Sequence, residues 1–449
     1  PASWEKVYDL DELGLDLTGQ RVSVLTNASL EGPELFQLNK KDWTDPEKPE
    51  YVLMADQYAA GAGYLPITTT DIEDTTGSSW KLLSSGSDYS FDLLKKRHGT
   101  VLRLTQAELD RVNAAFPNTE EYLIQKELQK ALNTITIPNS FSIRGNITLP
   151  EEVNGIEITW KSSNADVVTD TEIDGKAAGV VTRGTKDQWV TLTATATKED
   201  VTVTKTIRVR VLKAPAAITE DDYAGYLFGH FISESNADGE QIYFATSSDR
   251  LNFTDMNCGQ PVLRSTVGEE GVRDPYLYRS PEGDRYFLIA TDLSIYHRGG
   301  WKKNEQGYYD PSTTGSHYLV LWESTDLVNW GTPKHIKVAP ENAGMAWAPE
   351  MIYDDVSGQY IIFFASSIMN PETKYKAKPN AIYYVATRDF VNFSDTKLLI
   401  DNQTDGEEEG KAREIIDTTI LKIGDTYYSA SKDGDNAEIN GGIRIMKTK

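Results

Sequence analysis

The stretch Ser324-Thr325-Asp326-Leu327-Val328-Asn329-Trp330 decides the fold, because its pattern occurs three times in the chain. Related segments start at residues 247 and 387. Each follows an apolar, aromatic stretch typical of a β-strand, and its Asp and Asn are typical of a turn held by bonds from side chain to backbone. Repeats of this length, made of a few strands and a polar turn, indicate the blades of a β-propeller.

Five aromatic stretches are typical of the first strand of such a blade. They occupy 226–231, 274–278, 349–353, 417–421 and 31–36. Four lie in the C-terminal half of the chain and one lies near the N-terminus, so we predict a five-bladed propeller in circularly permuted order. In that order the stretch Ser3–Val7 would be an outer strand of the blade that contains 443–447. A natural permutant, an engineered one, a window cut out of register from a tandem array and halves exchanged between two molecules all remain open.

Two segments between the propeller parts differ from them in composition and in residue pattern. Thr105 is a plausible N-cap with Glu108 at the capping-box position, so we predict a helical linker over 105–132. Residues 133–214 are rich in Thr and Val that alternate with period two, which predicts an antiparallel immunoglobulin-like β-sandwich with Trp160 in its core. The fold class is therefore all-β, with propeller parts at 1–104 and 215–449.

The composition restricts the partners of the chain. Among 449 residues, 45 are Lys or Arg and 68 are Asp or Glu, which gives a net charge of -23. Such a surface repels nucleic acid and anionic membranes, whereas a neutral polysaccharide is not repelled. No apolar run reaches the roughly 18 residues needed to span a bilayer. The lone Cys258 excludes an intrachain disulfide and a cysteine-based zinc site, and the start at Pro1 indicates a processed or excised piece.

Three carboxylates stand at the openings of predicted inner strands, namely Asp274, Asp417 and Glu31. Inner strands of a propeller converge on its axis, so these side chains are expected to share one pocket. Hydrolysis of a glycosidic bond uses one carboxyl group to protonate the leaving oxygen and a second to activate water or to attack the sugar. A third carboxylate near the acid tends to raise the pKa of that acid, because like charges disfavour ionisation.

Residues 1–104 and 223–449 resemble glycoside hydrolase family 43, whose five-bladed propellers act on polysaccharides that contain arabinose and xylose. The motifs that carry the resemblance are Arg273-Asp274-Pro275, Trp347-Ala348-Pro349-Glu350, Ile416-Asp417-Thr418, Glu31-Gly32-Pro33-Glu34 and Arg97-His98-Gly99. The resemblance implies that Asp274 is the general base, Glu31 the general acid, and Asp417 the residue that orients the acid and tunes its pKa. It also implies inversion at the anomeric carbon, with carboxyl groups roughly 6.5–9.5 Å apart.

The same resemblance suggests where substrate and metal would bind. Trp347, Glu350, His230, His98 and Trp301 are the candidate substrate-binding residues. No cofactor is expected to be required, although His98 would lie near the axis, where many members hold a water or a structural calcium ion. The motif order departs from the family, since Glu-Gly-Pro and His-Gly come first here. The segment 133–214 resembles degenerate bacterial immunoglobulin-like modules.

These observations predict an inverting glycoside hydrolase that removes arabinofuranosyl or xylosyl residues from plant polysaccharides, secreted or held at a bacterial cell surface. An α-L-arabinofuranosidase is favoured over a β-xylosidase, an arabinanase or a galactanase. A carbohydrate-binding propeller without catalysis is the first alternative, and an interaction module centred on the immunoglobulin-like domain is the second. The exact sugar, exo or endo action and the oligomeric state stay open.

Overall fold

A computed structural model describes residues 30–57, 63–74, 78–92, 94–400, 414–433 and 442–448. The predicted outer strand Ser3–Val7 lies outside the described residues. The chain divides into two compact units, one made of residues 1–130 with 198–201 and the other of residues 131–197 with 202–449. None of the helices in the described part is long and apolar enough to cross a membrane.

The described residues of the first unit form one antiparallel sheet, whose strand order follows the sequence. Its strands are β1 (Leu30–Gln37), β2 (Tyr51–Gln57), β3 (Tyr64–Thr69) and β4 (Trp80–Leu82). A first helix, Gln106–Ala115, begins after Thr105, whose side chain accepts a bond from the backbone of Glu108 while Glu108 bonds back to Thr105. The predicted capping box is thus confirmed. A second helix, Glu120–Thr134, follows the break at Pro117.

Among the described residues of the second unit, four further sheets lie within 226–400, 414–433 and 442–448. Their strands are β9 (Tyr226–His230), β10 (Tyr243–Ser247), β11 (Thr254–Asp255), β12 (Val272–Arg279), β13 (Tyr286–Asp292), β14 (Tyr318–Ser324), β15 (Lys334–Lys337), β16 (Trp347–Asp354), β17 (Gln359–Met369), β18 (Lys376–Thr387), β19 (Lys397–Ile400), β20 (Ile415–Ile423), β21 (Thr426–Asp433) and β22 (Gly442–Lys447). Short 3₁₀ turns occur at Lys40–Asp42, Glu220–Asp222, Asn257–Gly259 and Asp310–Ser312. Each of the five predicted blade openings forms the first strand of its own sheet, at β1, β9, β12, β16 and β20. Closure of these sheets into one permuted ring stays a prediction.

The three repeated turns are built as the sequence predicts. Asp326 Oδ1 accepts bonds from the backbone of Val328 and Asn329 at 2.9 and 2.7 Å, and the Asn329 amide donates to Asp326 Oδ2 at 2.7 Å. Asp249 and Asp389 make the same bonds in their own turns. These donors hold the pKa of Asp326 well below its ordinary value. The aspartates therefore shape the turns and are not available for chemistry.

The immunoglobulin-like segment forms its own sheet within the second unit. Its strands are β5 (Glu152–Val153), β6 (Ile156–Ser162), β7 (Gln188–Lys198) and β8 (Val201–Val211). Alternating residues of these strands are buried, as the period-two pattern predicts. Trp160 is half-buried at the margin of the apolar cluster rather than central, because its indole donates to the carbonyl of Pro150 at 2.9 Å.

Candidate active site

A shared backbone irregularity opens β1, β12, β16 and β20. In each of these strands the pairing register with the next strand shifts across two intervening residues. The shift lies between Glu31 and Glu34 in β1 and between Arg273 and Tyr276 in β12, and β16 and β20 shift in the same way. The residue inside the shift has a positive φ, namely Gly32, Asp274, Ala348 and Asp417. Such a bulge bends the strand and re-aims a side chain. Asp274 and Asp417 therefore occupy equivalent positions, whereas Glu31 precedes the equivalent position by one residue.

The strained position of Asp274 is held by a neighbouring threonine. Asp274 has φ 50°, and its Oδ2 accepts a bond from Thr291 Oγ1 at 2.9 Å. The same hydroxyl oxygen accepts a bond from the backbone N–H of Ala348 at 2.8 Å. Thr291 is completely buried. It thus ties the bulge of β12 to that of β16 and fixes the carboxylate in one orientation.

Asp274 and Asp417 line one cavity of about 700 Å³ in the second unit. Trp301 and Trp347 also line it, with their rings at 86° and their centroids 6.3 Å apart. Burial raises the pKa of Asp274, and the charge of Asp417 raises it further. Burial also raises the pKa of Asp417, which Lys432 partly offsets. Two carboxyl groups of raised pKa in a cleft walled by aromatic rings are typical of an active site.

Two of the predicted substrate-binding residues do not line this cavity. Glu350 lies on β16 two residues beyond the bulge and bonds to Thr419 and Ile420 of β20. Burial raises the pKa of Glu350 to about 7, and its Oε2 has no partner in the described part of the chain. His230 is half-buried and stacks between the rings of Phe228 and Tyr243. Both side chains are packed between elements of the fold.

The remaining predicted residues form a cluster in the first unit. Glu31 Oε1 lies 2.8 Å from His98 Nε2 and 3.2 Å from Arg97 Nη2. Arg97 Nε donates to Asp56 Oδ2 at 2.7 Å, and Asp56 is completely buried. The ring of His98 fills the space beside Gly32, since a Cβ on that glycine would lie 2.7 Å from His98 Nδ1. A side chain at position 32 would therefore displace the histidine.

The cluster does not fit a calcium ion well. Ligand atoms of Glu31, Asp56 and His98 lie within 4.8 Å of one another, but calcium prefers six to eight oxygen ligands. One of the three groups offers nitrogen, and the guanidinium of Arg97 already contacts both carboxylates. The calcium ion expected near His98 therefore stays a prediction, and no chemical step is assigned to it.

Some residues of the cavity had no signal in the sequence. Lys376 lines it almost completely buried, with its ammonium 2.7 Å from Glu414 Oε1 and 3.0 Å from Asn380 Oδ1. Strand pairing sets the positions of Lys432, which also lines the cavity, and of Thr291, which bonds to Asp274. They lie opposite Ile416 and Arg273 on the adjacent strands. Only the register of β13 and β21 against their neighbours could have identified them.

Comparison with known proteins places the chain in a family. A family described as "Probable glycosyl hydrolase domain", related to glycoside hydrolase family 43, matches residues 12–110 and 221–449. A second family, described as "Atrophied bacterial Ig domain", matches residues 126–214. Because the first match covers more than half of the chain, the protein belongs to this family of glycosyl hydrolase domains and carries an atrophied immunoglobulin-like domain between the two parts of the match.

One curated relative and two solved structures show similarity to this chain. A curated α-L-arabinofuranosidase of Bifidobacterium longum subsp. longum is 33% identical over 372 residues, which cover 75% of this chain and 33% of the relative. The chain thus spans a third of the length of that relative. Among solved structures, an α-L-arabinofuranosidase from Lactobacillus brevis is 18% identical over 42% of this chain and 50% of its own, with a TM-score of 0.27. An exo-1,5-α-L-arabinanase from a bovine ruminal metagenomic library is 11% identical over 94% of this chain and 95% of its own, with a TM-score of 0.31.

Proposed function

We propose that the chain is an inverting glycoside hydrolase that removes arabinofuranosyl residues, or else xylosyl residues, from plant polysaccharides. The observation that carries the proposal is the pair Asp274 and Asp417, placed at equivalent bulges and lining one cavity with two tryptophans. The family match supports the reaction class. The curated relative, named an α-L-arabinofuranosidase, supports arabinose as the sugar. Secretion or attachment to a cell surface follows from the size of such a substrate.

In the proposed mechanism Asp274 acts as the general base. Its carboxylate accepts a proton from a water molecule, and the water oxygen attacks the anomeric carbon as the bond to the leaving oxygen breaks. Glu31 donates its proton to that leaving oxygen. Asp417 carries no proton in the reaction; it orients the acid and sets the local charge. Attack from the face opposite the leaving group inverts the anomeric centre.

The protonation state of Asp274 gives this mechanism a pH dependence. A base must be ionised, and burial together with Asp417 raises the pKa of Asp274. The acid limb of kcat/KM is therefore expected at a pH above the ordinary value of an aspartate. Thr291 opposes this shift by donating a hydrogen bond to the ionised form.

A substrate panel tests the proposal directly. The chain is incubated with nitrophenyl glycosides of arabinofuranose, xylose and galactose and with dyed arabinan and arabinoxylan. The arabinofuranoside should be cleaved fastest, and Asp274→Asn should reduce that rate by about 10²–10⁴-fold. Asp221→Asn, an exposed aspartate outside the cavity, is the matched control and should leave the rate unchanged. Binding of arabinan without turnover would instead support the non-catalytic propeller.

A further inference from the structure

The loop between β13 and β14 places an exposed tryptophan on the wall of the cavity. Trp301 is 41% exposed, and its ring meets Trp347 and Tyr309 edge-on, at 6.3 and 5.8 Å between centroids. The guanidinium carbon of Arg273 lies over the ring, 5.5 Å from its centroid. The cation covers one face of the indole, and the exposed fraction of Trp301 leaves ring surface that a ligand can reach.

A carboxylate that the sequence did not single out fixes the orientation of this ring. The indole Nε1 of Trp301 donates to Glu234 Oε1 at 3.1 Å, and Arg273 Nη1 approaches Glu234 Oε2 at 3.3 Å. The hydrogen bond from Trp301 is the main cause that lowers the pKa of Glu234, so this acceptor is ionised at neutral pH. Glu234 therefore links the tryptophan to the residue that precedes Asp274.

The support behind this link is rigid. Glu240 is completely buried and accepts a bond from Arg273 Nη1 at 2.9 Å. It also accepts from Ser294 Oγ at 2.8 Å and from the backbone N–H groups of Ile295 and Tyr296 at 2.9 and 3.0 Å. A buried carboxylate with four donors is fully satisfied and costly to disturb. The start of the loop and the start of β12 are thus held by one side chain.

The far part of the loop is anchored as well. Arg298 donates to both carboxylate oxygens of Glu269, at 2.8 and 2.6 Å, and reaches the carbonyl of Thr314 at 3.1 Å. A bidentate pair of this kind fixes geometry as well as charge. Trp301 is consequently presented by a loop that is tied down on both sides of it, which reduces the ordering cost when a ligand packs on its ring.

We propose that Trp301 is the stacking platform for a sugar unit adjacent to the one that is cleaved, and that Glu234 is the positioning residue that sets the angle of this platform. The inference rests on the proposed function. The apolar C–H face of a sugar ring packs against an open aromatic face by dispersion and burial of area. The substrate class is therefore an oligosaccharide or polymer, rather than a glycoside with a single sugar.

Kinetics on a long and a short substrate test the inference. The substrates are α-1,5-linked arabinotriose, which reaches the platform, and methyl α-L-arabinofuranoside, which offers one sugar. Relative to its effect on the methyl glycoside, Trp301→Ala should raise KM for the trisaccharide by about tenfold and Glu234→Ala by about threefold, with a smaller effect on kcat. Glu234→Gln keeps an oxygen for the indole N–H and should stay near wild type. Glu305→Ala, an exposed glutamate of the same loop, is the control.

An equal loss of kcat/KM on both substrates, or no loss of kcat/KM on the trisaccharide in Trp301→Ala, would contradict the proposal that Trp301 is a stacking platform. If the wild-type chain cleaves neither substrate, the proposed function fails, and binding then decides the inference separately. Arabinotriose titrated into the wild-type chain should change its tryptophan fluorescence, and Trp301→Ala should abolish that change. Absence of any binding by the wild-type chain would contradict the platform as well.

Discussion

The carboxylates assigned to one reaction lie in opposite surroundings. Asp274 is half-buried, bonds to a neutral hydroxyl and has a raised pKa, whereas the Glu31 side chain is 41% exposed and contacts the cation Arg97 and the ring of His98. A base that must take a proton from water benefits from a fixed, partly shielded position that one water can still reach. An acid that must deliver a proton to a departing polymer needs access. The difference in burial therefore matches the difference in role.

The largest expected effect comes from removing the acid and comparing leaving groups. Glu31→Gln should reduce kcat on arabinan by about 10²–10⁴-fold, because a sugar oxygen leaves only when it is protonated. The loss on a nitrophenyl arabinofuranoside should be smaller, since nitrophenolate needs less help. The ratio of kcat on arabinan to kcat on the nitrophenyl arabinofuranoside, measured for the wild type and for Glu31→Gln, checks this prediction. Equal losses on both substrates would argue against the role of Glu31 as acid.

A second test addresses what holds the base in place. Thr291→Val keeps the shape of the side chain but removes the donor to Asp274 Oδ2 and the acceptor for Ala348 N. The hydroxyl stabilises the ionised carboxylate, so its loss should raise the pKa of Asp274 and lower kcat/KM by about tenfold. The pH profile should shift upward on its acid limb. Thr291→Ser restores the hydroxyl and should recover most of the activity; an unshifted profile in Thr291→Val would refute the positioning role.

A third test concerns stability at the buried Glu350. Burial raises the pKa of Glu350 from 4.5 to about 7, so the folded state binds a proton more tightly than the unfolded state. Proton binding by Glu350 therefore contributes to the free energy of unfolding. The contribution is fully present below pH 4.5 and is lost as the pH rises towards 7, by at most about 3 kcal/mol. Glu350→Gln should remove that part of the pH dependence. The midpoints of urea unfolding are measured at pH 5 and pH 8 for the wild type and for Glu350→Gln. The same change in midpoint between the two pH values in both proteins would contradict the prediction.

The smallest expected effect separates buried from exposed turn aspartates. Asp389 is 8% exposed, while Asp326 has the same bonds in an open position. Alanine at either position leaves two backbone N–H groups without their acceptor, but only at 389 are these groups shielded from water. The melting temperature should therefore fall more for Asp389→Ala than for Asp326→Ala. A larger fall for Asp326→Ala would show that burial does not decide the contribution of these turns.

Much of the fold could be predicted from the sequence, because its signals are local. The Asp-x-x-Asn-aromatic turns, the capping box at Thr105 and the alternation in β7 each depend on residues a few positions apart. The class of site could also be predicted, since the motifs around Asp274 and Asp417 are contiguous. Thr291 and Glu234 could not, because each acts on a partner brought to it by strand register or by a long loop. The substrate-binding role of Glu350 stays a prediction, because its side chain bonds to Thr419 and Ile420 of β20 and is not among those that line the cavity.

The central claim is that Glu31 and Asp274 act on the same bond, although more than two hundred residues separate them in the chain. A crystal structure of the chain with arabinose bound would measure the distance between their carboxyl groups most directly. The account predicts a separation of roughly 6.5–9.5 Å within one molecule, with room for one water between Asp274 and the sugar. A gap too wide for a single sugar and water, or a Glu31 that reaches Asp274 only from a second molecule, would contradict it.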